Sequence, residues 1–267
     1  MTLFSVWAPE AELVGLLIEG GPMPLGRPMD PKPGGWFELE MPDAGPGTRY
    51  GFVVDGSEPL PDPRSPWQPD GIEAPSAVVD HAAFAWTDQG WRGAPAPWIS
   101  GGLVYELHVG TFTPEGTFTA AIERLDHLVE LGVRAVEIMP VAEFSGCRGW
   151  GYDGVFLYAP HHCYGGPDGL RALVDACHAR GLAVILDVVY NHLGPAGNVL
   201  EYFGPYFTVR YATPWGKAVN LDGPWSDEVR RFFIDNAVMW LRDYHFDGLR
   251  IDAVHAIVDS SAIHFLE

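Results

Sequence analysis

Between residues 103 and 252 the chain alternates short, almost wholly apolar runs with longer segments of helical spacing, and no other feature restricts its fold as strongly. Leu103-Val-Tyr-Glu-Leu-His108 reads as a strand. Phe118 to Leu131 follows with apolar residues at Ile122, Leu125, Leu128 and Val129, a helical spacing, and Gly132 fits the position just past a helix end. Val133 to Met139 is a second strand. Leu170 to Arg180 is a helix closed by Gly181. Leu182 to Val189 is apolar except for Asp187, as expected of a strand covered on both faces. Glu228 to Tyr244 is a long amphipathic helix, and Asp247 to Asp252 a fourth strand. A β-α-β-α-β-α-β order requires a parallel sheet with crossover helices. Periodicity alone does not choose between a doubly wound sheet and a (β/α)8 barrel. The absence of G-x-G-x-x-G after the first strand weakens the dinucleotide-binding alternative. The polar residues His108, Asp187, Asn191, His192, Arg250, Asp252 and His255 gather at the C-terminal ends of the strands. In a (β/α)8 barrel that end carries the chemistry.

Residues 1–95 obey a different grammar. Short apolar runs, such as Leu13 to Ile18 and Tyr50 to Val54, are separated by Gly/Pro clusters at 20–22, 31–35 and 43–47. Frequent punctuation of short strands predicts a small β-sandwich. Residues 56–75 read as an extended connection, and 91–99 as a linker or docking strap. The expected organisation is therefore a sandwich over 1–95, then barrel elements over 96–267.

Charge narrows the partners. Thirty-five acidic residues against 16 basic ones give a net charge of −19. Such a surface repels phosphate backbones and anionic membranes, so neither nucleic acid nor membrane is expected, whereas a neutral ligand meets no penalty. No run of about 18 apolar residues suggests a membrane span. The N-terminus lacks the basic and apolar regions of a signal peptide, and a cytoplasmic location is expected. Cys147, Cys163 and Cys177 form an odd set without C-x-x-C, so neither a disulfide framework nor a cysteine zinc site is expected.

Two motifs concentrate the chemistry. Asp187-Val-Val-Tyr-Asn-His192 places Asp187 on a strand and Asn191 and His192 on the turn after it. Gly248-Leu-Arg-Ile-Asp-Ala-Val-His255 places Arg250 and Asp252 two apart on a strand, hence on one face. Arg250 can then hold the Asp252 carboxylate ionised, as a glycosidic nucleophile requires. Taken alone, R-x-D describes a structural ion pair far better than a site, and His192 reads at least as readily as a simple loop histidine.

Together, D-x-x-x-N-H on one strand and G-x-R-x-D-x-x-H on the next resemble the α-amylase family of glycoside hydrolases. Val133 to Pro140 is similar to that family's second strand, Ala218 to Asp222 to its short motif after the third, and Trp150-Gly-Tyr-Asp153 to the segment bearing a sugar-stacking tyrosine. The resemblance implies an immunoglobulin-like N-terminal sandwich followed by the first half, strands 1 to 4, of a (β/α)8 TIM barrel. It implies Asp252 as the nucleophile, Arg250 as its orienting partner, His192 as a hydrogen-bond donor to the sugar, and Tyr152 as a stacking platform. Asp187 is the carboxylate supporting the site from behind, and His255 lines the next subsite. No cofactor is implied. Asn220 stands where calcium-binding relatives place an aspartate, so no metal is expected. Among the loop aromatics Trp150, Trp215, Trp225, Tyr164 and Tyr206, most are expected to be packing residues.

Within the family, Tyr105 to Phe118, Asn191 to Asn198, Tyr206 to Gly216 and Asp252 to Ile257 resemble enzymes that hydrolyse the α-1,4 bond beside the terminal trehalose of a trehalose-capped malto-oligosaccharide. A glycogen branching enzyme, which transfers a glucan chain instead, is the first alternative within the family, and an isoamylase-like debranching enzyme the second. A non-catalytic glucan-binding fragment is the alternative outside catalysis. Retaining hydrolysis needs a second carboxylic acid. The resemblance puts that glutamate after a fifth strand, so Glu106, Glu137 and Glu143 stand too early and Glu267 on the wrong element. The expectation is that the acid comes from the C-terminal half of the barrel, in a longer enzyme or in a second polypeptide, and that the 267 residues alone are inactive.

Overall fold

The computed structural model describes residues 1–20, 26–93 and 101–267. Most of the predicted strap at 91–99, and most of the predicted turn at 20–22, lie outside the described residues.

The first region holds two antiparallel sheets. One pairs β1 (Thr2–Trp7) with a later strand, Trp36–Met41 (β3), and adds the short segment Asp30–Lys32. The other pairs β2 (Val14–Ile18) with β4 (Arg49–Val54), flanked by the two-residue segments Arg27–Pro28 and Ser76–Ala77. Phe4, Val6, Trp7, Val14, Leu16, Phe37, Tyr50 and Phe52 are buried between and beside them.

The second region is built on a four-stranded parallel sheet: β5 (Leu103–Leu107), β6 (Val133–Ile138), β7 (Ala183–Val188) and β8 (Gly248–Ile251). Their spatial order follows the chain, β5-β6-β7-β8, with no reversal. A doubly wound sheet reverses direction at a switch point. Sequential winding is that of part of a (β/α)8 barrel. All six residues of β7 are buried, whereas β5 and β8 are only partly covered.

The crossovers explain why the helices form where they do. Thr117 caps α1 (Phe118–Ile122) by accepting the N–H of Ala120 at 3.2 Å. One helix was predicted over 118–131. The chain instead breaks at Glu123 and Arg124 and restarts as α2 (Leu125–Glu130). The apolar stripe survives the break, because Phe118, Ala121, Leu125 and Leu128 are all buried. Gly132 and Gly181 adopt φ of 82° and 75° after their helices, as the sequence predicts. Between β6 and β7 the chain forms an unpredicted buried strand, Phe156–Pro160, antiparallel to Ala142–Glu143, then α3 (Gly166–His178). An antiparallel hairpin, Phe207–Thr213 with Gly216–Val219, precedes α4 (Ser226–Asp243).

One face of the sheet, with Leu107, Val136, Ile138, Val184, Leu186 and Val188, belongs to the main core shared with the helices. Each such side chain contributes roughly 1.5–3 kcal/mol of burial. No helix among the described residues is long and apolar enough to cross a membrane.

Candidate active site

The opposite face of the sheet carries the charge. Register pairs Glu106 with Glu137, Glu137 with Ile185, and Asp187 with Arg250. Pairing in register puts these side chains on one face, in ascending steps towards the strand ends.

Arg250 is the hub. Its Nη1 donates to Asp187 Oδ2 and to Asp252 Oδ1, each at 2.7 Å. Asp252 Oδ2 accepts no hydrogen bond among the described residues. The Tyr152 hydroxyl donates to Asp187 Oδ2 at 3.0 Å. Asp187 is 1% exposed, and its Oδ1 has no hydrogen-bond partner among the described residues. Burial raises the Asp187 pKa, and this outweighs the opposing hydrogen bonds from Arg250 and Tyr152. Tyr152 is pushed up by burial and then by Asp187, so its phenol stays protonated and remains a donor. The hydrogen bond to Asp187 holds Arg250 above its ordinary range.

The turn after β7 supplies His192. It is 5% exposed and stacks on Trp215, with ring centroids 5.0 Å apart at 16°. Asn191 Nδ2 lies 3.0 Å from His192 Nδ1. If the amide nitrogen donates there, the proton of the neutral ring sits on Nε2. Burial lowers the His192 pKa against the pull of Asp153 and Asp252, which favours that neutral ring.

Tyr152 owes its place to Gly151, at φ 90°, where an added Cβ would lie 2.0 Å from the Pro140 carbonyl oxygen. Only glycine permits that approach, so the loop after β6 presents Trp150 to solvent, 72% exposed, and Tyr152 to the site.

His255 is not brought into this cluster. It sits exposed on the 3-10 turn Val254–Ala256 and makes no hydrogen bond among the described residues. Asn220 is a brace: its amide nitrogen donates to Pro205 and Pro224 carbonyls, and its oxygen accepts from Gly223 N–H. Glu106 and Glu137 form with Asp187 an acidic group that the motifs did not reveal. The Glu137 pKa is raised by burial and by its neighbours Glu106 and Asp187. The signal was present in the alternation of β5 and β6, which places a carboxylate on the same face of each strand.

One expectation is overturned. Cys147 and Cys163, 16 residues apart, form a disulfide with Cα atoms 5.6 Å apart, and Cys177 alone is free and buried. The unpredicted strand Phe156–Pro160 is the reason, because it returns the chain antiparallel to Ala142–Glu143 and brings the two cysteines together.

Residues 78–204 match the family described as alpha amylase, catalytic domain. That match takes in a little under half of the chain and makes it similar to the α-amylase family of glycoside hydrolases. The chain is 57% identical over 266 residues to the malto-oligosyltrehalose trehalohydrolase of Arthrobacter ramosus, covering 99% of this chain and 45% of that protein. It is 34% identical to a 1,4-alpha-glucan branching enzyme of Xanthomonas campestris, over 96% of this chain and 37% of that one. A solved structure described as a putative alpha amylase from Salmonella typhimurium superposes with a TM-score of 0.92 at 46% identity, over 99% of this chain and 44% of that one. The chain thus spans a little under half the length of the relatives it matches.

Proposed function

We propose that this chain supplies the nucleophile half of a retaining active site that hydrolyses the α-1,4-glucosidic bond next to the terminal trehalose of maltooligosyltrehalose, releasing trehalose. The observation that carries the reading is the Arg250 bridge, one nitrogen 2.7 Å from both Asp187 and Asp252. A purely structural pair needs one carboxylate. Here the second is left with one oxygen engaged and one free.

In this reading Asp252 Oδ2 attacks the anomeric carbon while Arg250 fixes Oδ1, the bond from that carbon to the glycosidic oxygen breaks, and trehalose leaves with a proton from the general acid. A covalent glucosyl–aspartate forms, and water then releases the sugar with retention. Asp187 holds Arg250 and the Tyr152 hydroxyl from below. Because that hydroxyl is occupied, the tyrosine ring presents its face to the apolar side of a sugar. His192 Nε2–H donates to a sugar hydroxyl, an interaction worth most in the transition state. His255, exposed beyond the strand end, lines the neighbouring subsite.

The general acid belongs to a glutamate outside these 267 residues, in the remaining half of the barrel. Glu137 does not serve, because it is level with Gly248 in the register, four residues below Asp252. That is about 13 Å along the strand at ~3.3 Å per residue, against the ~5–5.5 Å between carboxyls that retention requires. The same reading treats residues 1–95 as an immunoglobulin-like sandwich and 96–267 as barrel strands 1 to 4, in a cytoplasmic protein. The higher identity to the trehalohydrolase favours hydrolysis over branching.

Product analysis tests the proposal. The longer protein containing this chain is given a trehalose-capped malto-oligosaccharide and, separately, glycogen. Trehalose from the first is the expected result. New branch points in the second with no trehalose from the first would replace the hydrolase reading with the transferase. Trehalose release by the 267 residues alone would refute the external acid.

A further inference from the structure

Above β6, away from Asp252, three soft or borderline ligand atoms converge. The sulfurs of Cys147 and Cys163 and Nε2 of His162 all lie within 4.8 Å of one another. His162 Nε2 is 3.2 Å from the Cys163 sulfur and 4.0 Å from the Cys147 sulfur. The other face of the ring is committed. Nδ1 sits 2.7 Å from Glu143 Oε1, and Glu143 Oε2 accepts the His162 backbone N–H at 2.8 Å. Glu143 is fully buried.

This arrangement assigns the tautomer. With a carboxylate on Nδ1, the ring proton lies there, and Nε2 presents a bare lone pair towards the two sulfurs. A disulfide gains little from a histidine so oriented. A metal ligand requires it, since ligating histidines give their second nitrogen to a carboxylate that fixes the ring and raises its basicity. We propose that, once reduced, Cys147, Cys163 and His162 bind one divalent cation of the zinc class, with the disulfide as the alternative state of the same site.

The spacing suits a tetrahedral ion. Bonds of about 2.3 Å to sulfur and about 2.0 Å to nitrogen place sulfur and nitrogen roughly 3.5 Å apart, between the two observed separations. The sulfurs must part to roughly 3.8 Å. Cys147 can move, because it lies on an exposed stretch of the loop. Two thiolates and an imidazole favour zinc over calcium or magnesium, which prefer oxygen. Entry into this state consumes a dithiol reductant. Two electrons and two protons pass to the Cys147–Cys163 bond, which breaks, and the reductant closes to its own disulfide. The ion then displaces the two thiol protons into solvent.

The test uses the protein carrying this chain, reduced with a dithiol, freed of it without air, and titrated with cobalt(II). One ion per chain is expected, with a near-ultraviolet thiolate-to-cobalt band, the visible bands of a tetrahedral ion, and displacement by zinc. The oxidised protein should show none of these. Cys147→Ser and Cys163→Ser should abolish the bands with circular dichroism unchanged, and Cys177→Ala should keep them. Glu143→Gln should weaken binding roughly 10- to 100-fold. Absence of tetrahedral bands in the folded, reduced protein would overturn the site, as would bands that persist in Cys147→Ser.

Discussion

The two ends of the parallel sheet each carry a cluster of charge, and they are finished differently. At the N-terminal end, His178 lies 2.8 Å from Asp88 through Nδ1 and 3.1 Å from Asp247 through Nε2. His245 joins Asp88 at 2.8 Å, and the Trp91 indole donates to Asp247 at 2.7 Å. Trp91 stacks on His178 and Trp86 on His245, with centroids 4.6 and 3.8 Å apart. At the C-terminal end, Asp187 keeps a buried oxygen unpaired among the described residues, and the Arg250 side chain is 44% exposed. The first cluster is closed by its own residues and locks residues 80–91 onto the sheet. The second is left open, with the Arg250 and Asp252 side chains 44% and 20% exposed. Charge alone does not mark a site; incompleteness does.

Four outcomes test that contrast. The largest concerns Asp252→Ala in the longer enzyme, where kcat should fall roughly 10³-fold or more with the unfolding midpoint almost unchanged. An active Asp252→Ala enzyme would sink the nucleophile assignment. His178→Ala should do the reverse. It takes one charge-assisted hydrogen bond from each of Asp88 and Asp247, which keep His245 and Trp91, and should cost about 3 kcal/mol in urea unfolding, with kcat near that of the parent. If activity fell and stability did not, the two ends would have been read the wrong way round. His192→Ala removes a single hydrogen bond and should lower kcat/KM about tenfold.

The smallest effect is in pH. Burial pulls the His178 pKa down, but its bonds to Asp247 and Asp88 leave it raised overall. Its contribution is therefore complete below about 6.5 and fades as pH rises through the folded value. For Asp88, burial is outweighed by hydrogen bonds from His245 and His178, which leave its pKa lowered. That contribution is complete above about 3.9 and fades as pH falls through the folded value. The N-terminal cluster should be strongest between roughly pH 4 and 6.5. The stability gap between parent and His178→Ala should narrow from pH 6 to pH 9, and a gap that widens would contradict the ion-pair account.

What could be read from the residues divides along physical lines. The Arg250–Asp252 contact follows from strand periodicity, because two residues apart means the same face. The Arg250–Asp187 contact does not, since it depends on the register of β7 against β8, and that is set only when the helices between them pack. Tyr152 stands out in the sequence only through its motif, and its hydroxyl on Asp187 requires the turn that Gly151 allows. Trp215 on His192 joins residues 23 positions apart through a hairpin with no distinctive pattern. The disulfide was missed because cysteine spacing was weighed without Phe156–Pro160, a run too short to separate from a loop by periodicity.

The packing of the first region against the second has a practical meaning. Trp7 meets Tyr206 edge-on at 5.2 Å, and Phe52 meets Phe203 at 6.2 Å. Arg64 lies over both Trp36 and Phe232 while its guanidinium pairs with Asp235 at 2.7 Å. A gene cut at residue 96 would therefore not deliver a catalytic module stripped of an accessory. It would deliver a wall with its facing torn off, since the first region covers Phe203, Tyr206 and Phe232 of the second.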